Sequence, residues 1–433
     1  MAILISGFAF QGHDHNHDHH DHDHGHDNKA THQPDKHNSH KENTHDSHAQ
    51  GGHANACGVS IDHDAPFNPG TSAFHHISDQ NIYSIGPWSF PLPCMFYEHG
   101  NGLKMFSSGK FNTDAHGTGS NAYDGFVLFE GLARRINDAS FPKGLVNLDK
   151  NSVFSEKIIV KGKNREKVKV CYNGKLWDAD DRSTLDGGML GGGKTSFTDF
   201  SITKNVLTMI LMLLFGFFLF RKVSNAYVAR EGMAPSGLQG FIEPIFIFIQ
   251  DEVCKPFLGN KWERYQPFIM SLFFFILFLN LFGQIPFFGG SNVTGALSVT
   301  LVLALFTALV VNFSGNKHYW EHIFWMPGVP AWVKVILTPV EMMGVIIKPL
   351  TLMLRLFGNI TAGHMVISIF IGLIFVFGKS GQNVPASIGA AVGSTVLSMF
   401  MMAIELVVAF IQAFVFSILT ASYIGAAIEE PHH

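Results

Sequence analysis

The last hundred residues of this chain of 433 carry side chains able to hold or move a proton inside otherwise apolar sequence. Glu341, Lys348, Arg355, Asn359 and His364 lie in a stretch from Val335 to about Phe377, and Glu405 and Gln412 in a second from Val384 to about Ile428. An ionised group at membrane depth costs several kcal/mol unless it is paired or wetted, so such groups mark ion or proton paths by default. The plainer reading is a long side chain reaching back to the interface, which suits Lys348 and also Glu341. It does not suit Arg355 or Glu405, which have apolar sequence on both sides.

Helical geometry sorts these groups into faces. At about 100° per residue, Asn359 and Lys348 share the face of Arg355, and Glu341 lies within about 40° of it. His364, nine positions after Arg355, points to the opposite side. Glu405 and Gln412, seven apart, share one face of the second stretch. A cationic face can therefore meet one partner while an imidazole and carboxylate system meets another. The glycines at 358, 363 and 372 allow close packing.

Two other constellations invite chemistry. The run HDHNHDHHDHDHGHD offers His13, His15, His17, His19, His20, His22, His24 and His26 among carboxylates, which could bind zinc, nickel or copper weakly. Its composition cannot build a core, and it reads chiefly as a solvated tether that gains charge as pH falls through the histidine range. Gly188, Gly193, Lys194 and Thr195 fit the phosphate-loop pattern GxxxxGK[ST]. That loop needs an apolar strand before it and a helix after it. DADDRSTLDGG stands where the strand should be, so a glycine-rich linker is the better reading.

Composition bounds the rest. Hydrophobic residues make up 47% and charged residues only 15%, against about 25% charged in a typical soluble domain, which excludes a wholly disordered or conventionally soluble chain. With a net charge of −4 and 34 acidic residues against 30 Lys and Arg, no nucleic-acid partner is expected. Cys57, Cys94, Cys171 and Cys254 show no CxxC spacing, so neither a disulfide framework nor a zinc site can be read from them.

The chain divides near residue 200. Residues 1–12 resemble the end of a secretory signal without its basic start, and 13–79 read as a disordered His/Asp-rich tract. Residues 80–200 read as a small β-rich extramembrane region, with KIIVKGKNREKVKVCY as a hairpin. Residues 201–430 read as an all-α polytopic membrane domain. Its spans are predicted at about 202–220, 266–284, 295–314, 335–377 and 384–428, with 238–259 as an interfacial helix because of its four charged residues. The last two spans are too long to stand upright and must tilt strongly or lie partly across the membrane. Arg221, Lys222 and Arg230 put the end of the first span inside and the His-rich half outside.

KPLTLMLRLFGNITAGH (348–364) followed by IELVVAFIQAFVFSILTASYIG (404–425) closely resembles the a subunit of F-type ATP synthases, and NLFGQIP and PVEMMGVIIKP fit the same family. The resemblance covers about residues 200–430. It implies a proton-translocating stator subunit of the FO sector that performs no covalent chemistry alone and needs no cofactor. Its long last two helices would form a tilted hairpin against the c-subunit rotor ring. Its other partners would be the b-subunit peripheral stalk, further ATP synthase subunits and the lipid bilayer. The resemblance makes Arg355 the stator arginine, with Asn359 and Gln412 as its polar neighbours. It puts Glu341 on the cytoplasmic access path and the pair His364 and Glu405 on the periplasmic one. One common bacterial pattern has Glu first and His second; the swap here keeps one imidazole and one carboxylate, as mitochondrial members do. The implied location is a bacterial inner membrane, with a mitochondrial inner membrane as the alternative. A metal-ion transporter with a His-rich capture segment is the rival function, but it should place His with Asp or Glu at i, i+4 within its spans, and none appears.

Overall fold

The computed structural model describes residues 57–58 and 78–429, apart from 86–87, 99, 114–116, 150, 161–162, 182–194, 286–290, 327–328 and 378–383. The signal-like start, the His13–His26 tract and all of the phosphate-loop match except Thr195 lie outside the described residues.

The extramembrane part is β-structured. Its strands are β1 (Ile82–Ile85), β2 (Trp88–Pro91), β3 (Pro93–Glu98), β4 (Gly102–Ser107), β5 (Asn121–Tyr123) and β6 (Phe126–Phe129), then β7 (Leu132–Arg135), β8 (Leu145–Asn147), β9 (Val153–Val160), β10 (Lys163–Tyr172), β11 (Lys175–Asp178) and β12 (Phe197–Asp199). They form small antiparallel sheets ordered β1-β2, β11-β10-β9, β12-β3-β4 and β7-β6-β5-β8. The hairpin read from alternation is β9–β10, paired from Val153↔Val170 to Val160↔Lys163. Val168 and Val170 turn inward toward Trp177, while Lys167 and Lys169 turn outward to Asp178 and Glu156 at 2.6 and 2.5 Å. A second core is aromatic, with Phe96 stacked on Phe126 at 4.6 Å and Phe197 edge-on to both.

Cys57 is disulfide-bonded to Cys171 on β10 across 114 residues, whereas Cys94 and Cys254 are free and buried. Spacing could not show that pairing, because nothing local relates the two positions.

The helices are α1 (Lys204–Ala229), α2 (Leu238–Ile249), α3 (Trp262–Gly283), α4 (Leu297–Ser314), α5 (Lys317–Trp325), α6 (Ala331–Phe377) and α7 (Val384–Ile428). Five helical stretches are long and apolar enough to cross a membrane, as the sequence predicted. One of them differs in extent. The segment predicted as an interfacial helix joins the next span in a single stretch, Leu238–Gly283, through a π-turn at Gln250–Cys254 and a short turn at Gly259–Lys261. Apolar surface explains the joining: Phe248 packs on Phe414 at 5.5 Å, and the Phe257 carbonyl abuts Gly425, so the segment lies along the last turns of α7.

α3 holds the centre of the bundle, with Ile269, Phe273 and Ile276 fully buried. α6 and α7, of 47 and 45 residues, would measure about 70 Å each at 1.5 Å per residue, over twice the apolar thickness of a bilayer. They run antiparallel, since Lys348 lies over Tyr423 and Gly363 meets Glu405.

The β region is fastened to α1 by main-chain bonds. Phe200 N–H donates to Met95 O at 2.9 Å, Ile202 N–H to Pro93 O at 3.2 Å and Lys204 N–H to Gln80 O at 2.8 Å. Thr203 makes no side-chain cap, and Asp79 Oδ1 instead accepts from Asn205 N–H at 3.1 Å, capping α1 from another segment.

Cys171→Ser is expected to lower the stability of the β region by about 2–5 kcal/mol, because the lost bridge closes a long loop. Hydrogen exchange along β9 and β10 should quicken accordingly, and unchanged protection would show that the bridge adds nothing.

Candidate functional site

Helix α6 presents two chemically different sides. Arg355 and Asn359 are uncovered by this chain, one turn apart, in a surface that also bears Leu350 and Leu354. Leu352, Met353, Leu356 and Ile360 are buried behind them against the bundle. An apolar face of this extent containing one guanidinium has no reason to be left open in a finished assembly.

His364 points the other way, into the bundle. Its Nε2 stands 4.0 Å from where a Cβ on Gly283 would be, an ordinary contact distance from α3, and the Ser291 carbonyl packs closer still, 2.9 Å from that point. Glu405 on α7 is 7% exposed and lies directly over Gly363, the residue before His364. Its Oε1 is buried with no hydrogen-bond partner among the described residues. Gln412, 5% exposed, lies two turns further along the same inward face of α7. Sequence spacing had put these two on one face, and the fold turns that face toward α3 and α6.

Several polar groups that the sequence reading did not single out line the same interior. Asn280 Nδ2 donates to Ala409 O at 3.2 Å, one turn beyond Glu405, and Thr294 Oγ1 donates to Asn280 Oδ1 at 2.7 Å. Thr361 Oγ1 donates to Gly295 O at 3.2 Å. Ser291 Oγ donates to Asn205 Oδ1 at 3.2 Å, reaching the start of α1 and the Asp79 cap. Asn205, Asn280, Ser291, Asn292 and Thr294 are all buried. Together they make a buried polar cluster between the start of α1 and the level of His364 and Glu405. Asn280 opens the NLFGQIP motif, which was the available signal; the others carry none.

At the opposite end of α6, Lys348 lines a cleft with Asn312, Tyr319, Pro349 and Tyr423. Tyr319 donates to Asn312 Oδ1 at 3.3 Å. Burial raises the Tyr319 phenol above its ordinary pKa, and the Glu341 carboxylate adds to the rise. Glu341 and Lys348 thus belong to a polar region some distance along α6 from His364. Among the described residues, no group of three or more His, Cys, Asp or Glu side chains is placed to hold a metal.

These features define a polytopic α-helical membrane protein with two separate polar interiors and a charged residue on its outer apolar face, the plan of an ion-translocating subunit. The family model described as ATP synthase A chain matches residues 205–425, and one described as a domain of unknown function (DUF8433) matches 72–175. The chain is 36% identical over 247 residues to ATP synthase subunit a of Chloroherpeton thalassium, covering 54% of this chain and 69% of that one. It is 36% identical over 274 residues to subunit a of Anaeromyxobacter dehalogenans, covering 61% and 66%. To subunit a of Myxococcus xanthus it is 33% identical over 261 residues, covering 58% and 81%. The chain belongs to the ATP synthase A chain family, the proton-translocating membrane component of the FO sector.

A Cβ on Gly363 would fall on the Glu405 carboxylate. Gly363→Ala is therefore expected to slow passive proton conduction through the assembled FO sector severalfold. Adding Glu405→Asp, which withdraws the carboxylate by one methylene, should restore part of it. Full conduction in the single variant would show that Glu405 does not depend on this contact.

Proposed function

We propose that this chain carries protons through two offset half-channels on either side of a rotor ring, with Arg355 as the stator charge between them. The carrying observation is the division of α6. Arg355 and Asn359 face outward on an uncovered apolar surface, while His364, Glu405 and Gln412 face a buried polar interior. A carboxylate must be neutral to pass through lipid. A rotor carboxylate protonated from one half-channel can turn through the bilayer, and meeting a fixed guanidinium makes it release its proton into the other. A guanidinium keeps its own proton at any working pH, so it blocks direct leakage where a lysine would not. Each charge crossing the membrane potential supplies about 2.3 kcal/mol per 100 mV.

In this reading the outer half-channel is the polar route past Ser291, Thr294 and Asn280 to His364 and Glu405. The inner one is the region of Glu341, Lys348 and Tyr319, and Gln412 supports the ring-facing side through the bundle. The chain performs no covalent chemistry alone. Its partners are the c-subunit ring on the open face of α6 and α7, the b-subunit stalk, the remaining ATP synthase subunits and the bilayer. The location is a bacterial inner membrane, with the β region in the periplasm and the C-terminus in the cytoplasm. Two observations support that orientation: the Cys57–Cys171 bridge fits an oxidising compartment, and an odd number of spans puts the β region and the C-terminus on opposite sides.

ATP-driven acidification of vesicles holding the complete complex should be lost in Arg355→Ala while assembly is retained. Undiminished pumping would refute the stator assignment. A second expectation concerns the pair on the outer route. Exchanging the two identities, His364→Glu with Glu405→His, should retain more proton flux than neutralising either alone, and an equal or greater loss would reject direct coupling between them.

A further inference from the structure

The β1–β2 hairpin is rooted in the β region, with Ile82 in the aromatic core and Asn81 N–H donating to Gly131 O at 2.8 Å, and its far end runs beside α1. Strand β3 runs beside the segment that leads into α1, with Tyr97 opposite Thr198, Phe96 opposite Asp199, and Pro93 O accepting from Ile202 N–H at 3.2 Å. Followed backward from Pro93, the chain continues in the same direction as α1 begins and becomes β2. Its partner β1 shows the same descent. Gln80 O meets Lys204 N–H at the first residue of α1, and Tyr83, opposite Phe90, is hydrogen-bonded to the Thr208 side chain one turn further down. The tip pair Ile85↔Trp88 lies two residues beyond Tyr83, about 7 Å further at strand rise.

This places the hairpin beside the first turns of a span. α1 has 26 residues, or about 39 Å, against an apolar thickness of about 30 Å, so its ends extend into the headgroup zones. Thr208 is about 6 Å below the start of α1, near the boundary of headgroups and acyl chains, and the hairpin tip lies just past it.

The surface chemistry agrees. No charged residue occurs from Gln80 to Tyr97. All four residues of β2 are exposed; Trp88 at 68% and Phe90 at 49% lie on the face of the hairpin that carries Tyr83 to α1, while Ile82 on the other face is buried in the β-region core. At the same level α1 leaves Ile210 and Leu211 uncovered as part of its lipid face. The hairpin's aromatic surface is therefore continuous with a surface that lipid covers. Backbone satisfaction limits the depth: strand edges are not tolerated in hydrocarbon, but they are in the wet interface, and Pro91 and Pro93 have no N–H to leave unpaired. Trp and Phe are residues suited to that zone.

We propose that the β1–β2 hairpin is a membrane anchor, inserting Trp88 and Phe90 into the headgroup and acyl-chain boundary of the outer leaflet beside α1. The anchor holds the β region against the bilayer surface at the mouth of the outer polar route. The anchoring rests on α1 crossing the bilayer, and the choice of the outer leaflet rests on the orientation proposed above; the anchoring itself would stand whether or not the proton route runs as proposed.

The test uses the complete ATP synthase complex in lipid nanodiscs, carrying Trp88→Cys or, separately, Ser89→Cys labelled with a bimane fluorophore. Nitroxides are placed on the lipid headgroup, shallow on the acyl chain or deep on it. The expected result is quenching severalfold stronger by headgroup and shallow nitroxides than by the deep one. Quenching by aqueous iodide should be weak at the same positions in nanodiscs. Strong iodide quenching with no quenching by any nitroxide lipid would overturn the proposal in favour of a solvated hairpin. Protection from both iodide and every nitroxide lipid would also overturn it, since another subunit would then cover the hairpin. The Ser89 position keeps both aromatic side chains and so reports even if the Trp88 variant misassembles.

Discussion

Everything in the membrane domain answers to the cost of a charge in an apolar medium. A guanidinium on the open apolar face of α6 is tolerable only if a partner of opposite charge comes to it or water reaches it. Among the described residues no carboxylate pairs with it, and the flanking surface of α6 and α7 is bare. That unmet demand is the reason we propose the face as a sliding contact with a carboxylate-bearing rotor. The same cost explains why the second carboxylate, Glu405, is turned inward with polar neighbours along its route, away from the surface that Arg355 occupies.

Length and antiparallel pairing of the last two helices convert that constraint into geometry. Because α6 and α7 exceed the bilayer thickness more than twofold, they must cross obliquely, and positions far apart along them then lie at different depths and lateral positions. The Glu341 and Lys348 region and the His364 and Glu405 region can thus open to opposite sides without joining. Packing at two small residues brings the groups within reach: Gly363 lets Glu405 lie against α6, and Gly283 lets the Ser291 carbonyl approach α3 beside the His364 ring. α3, buried at the centre, holds the register by bonding Asn280 to both α7 and the turn before α4.

The β region is joined to this machinery by more than a tether. Main-chain bonds tie strand β3 to the segment that starts α1, Asp79 caps that helix, and Asn205 in its first turn bonds Ser291 in the buried polar cluster. The domain is held to the membrane helices at each of these points, and the β1–β2 hairpin runs beside α1.

What the sequence determined by itself was local: apolar runs long enough to cross a bilayer, the alternation of β9 and β10, the facing of Arg355 with Asn359 and of Glu405 with Gln412, and the motif pair around RLFGN and QAF that resembles one family. These are consequences of periodicity and of transfer cost, which depend only on neighbours in the chain. The tertiary structure alone decided which partners meet. It brought Cys57 to Cys171 across 114 residues, set Glu405 over Gly363, ran the segment at Leu238–Gly283 along the end of α7, and turned β1–β2 down beside α1. Ser291, Thr294 and Asn205 are ordinary polar residues in the sequence and become a connected cluster only because burial leaves each of them needing a hydrogen-bond partner, and the fold supplies those partners from distant segments.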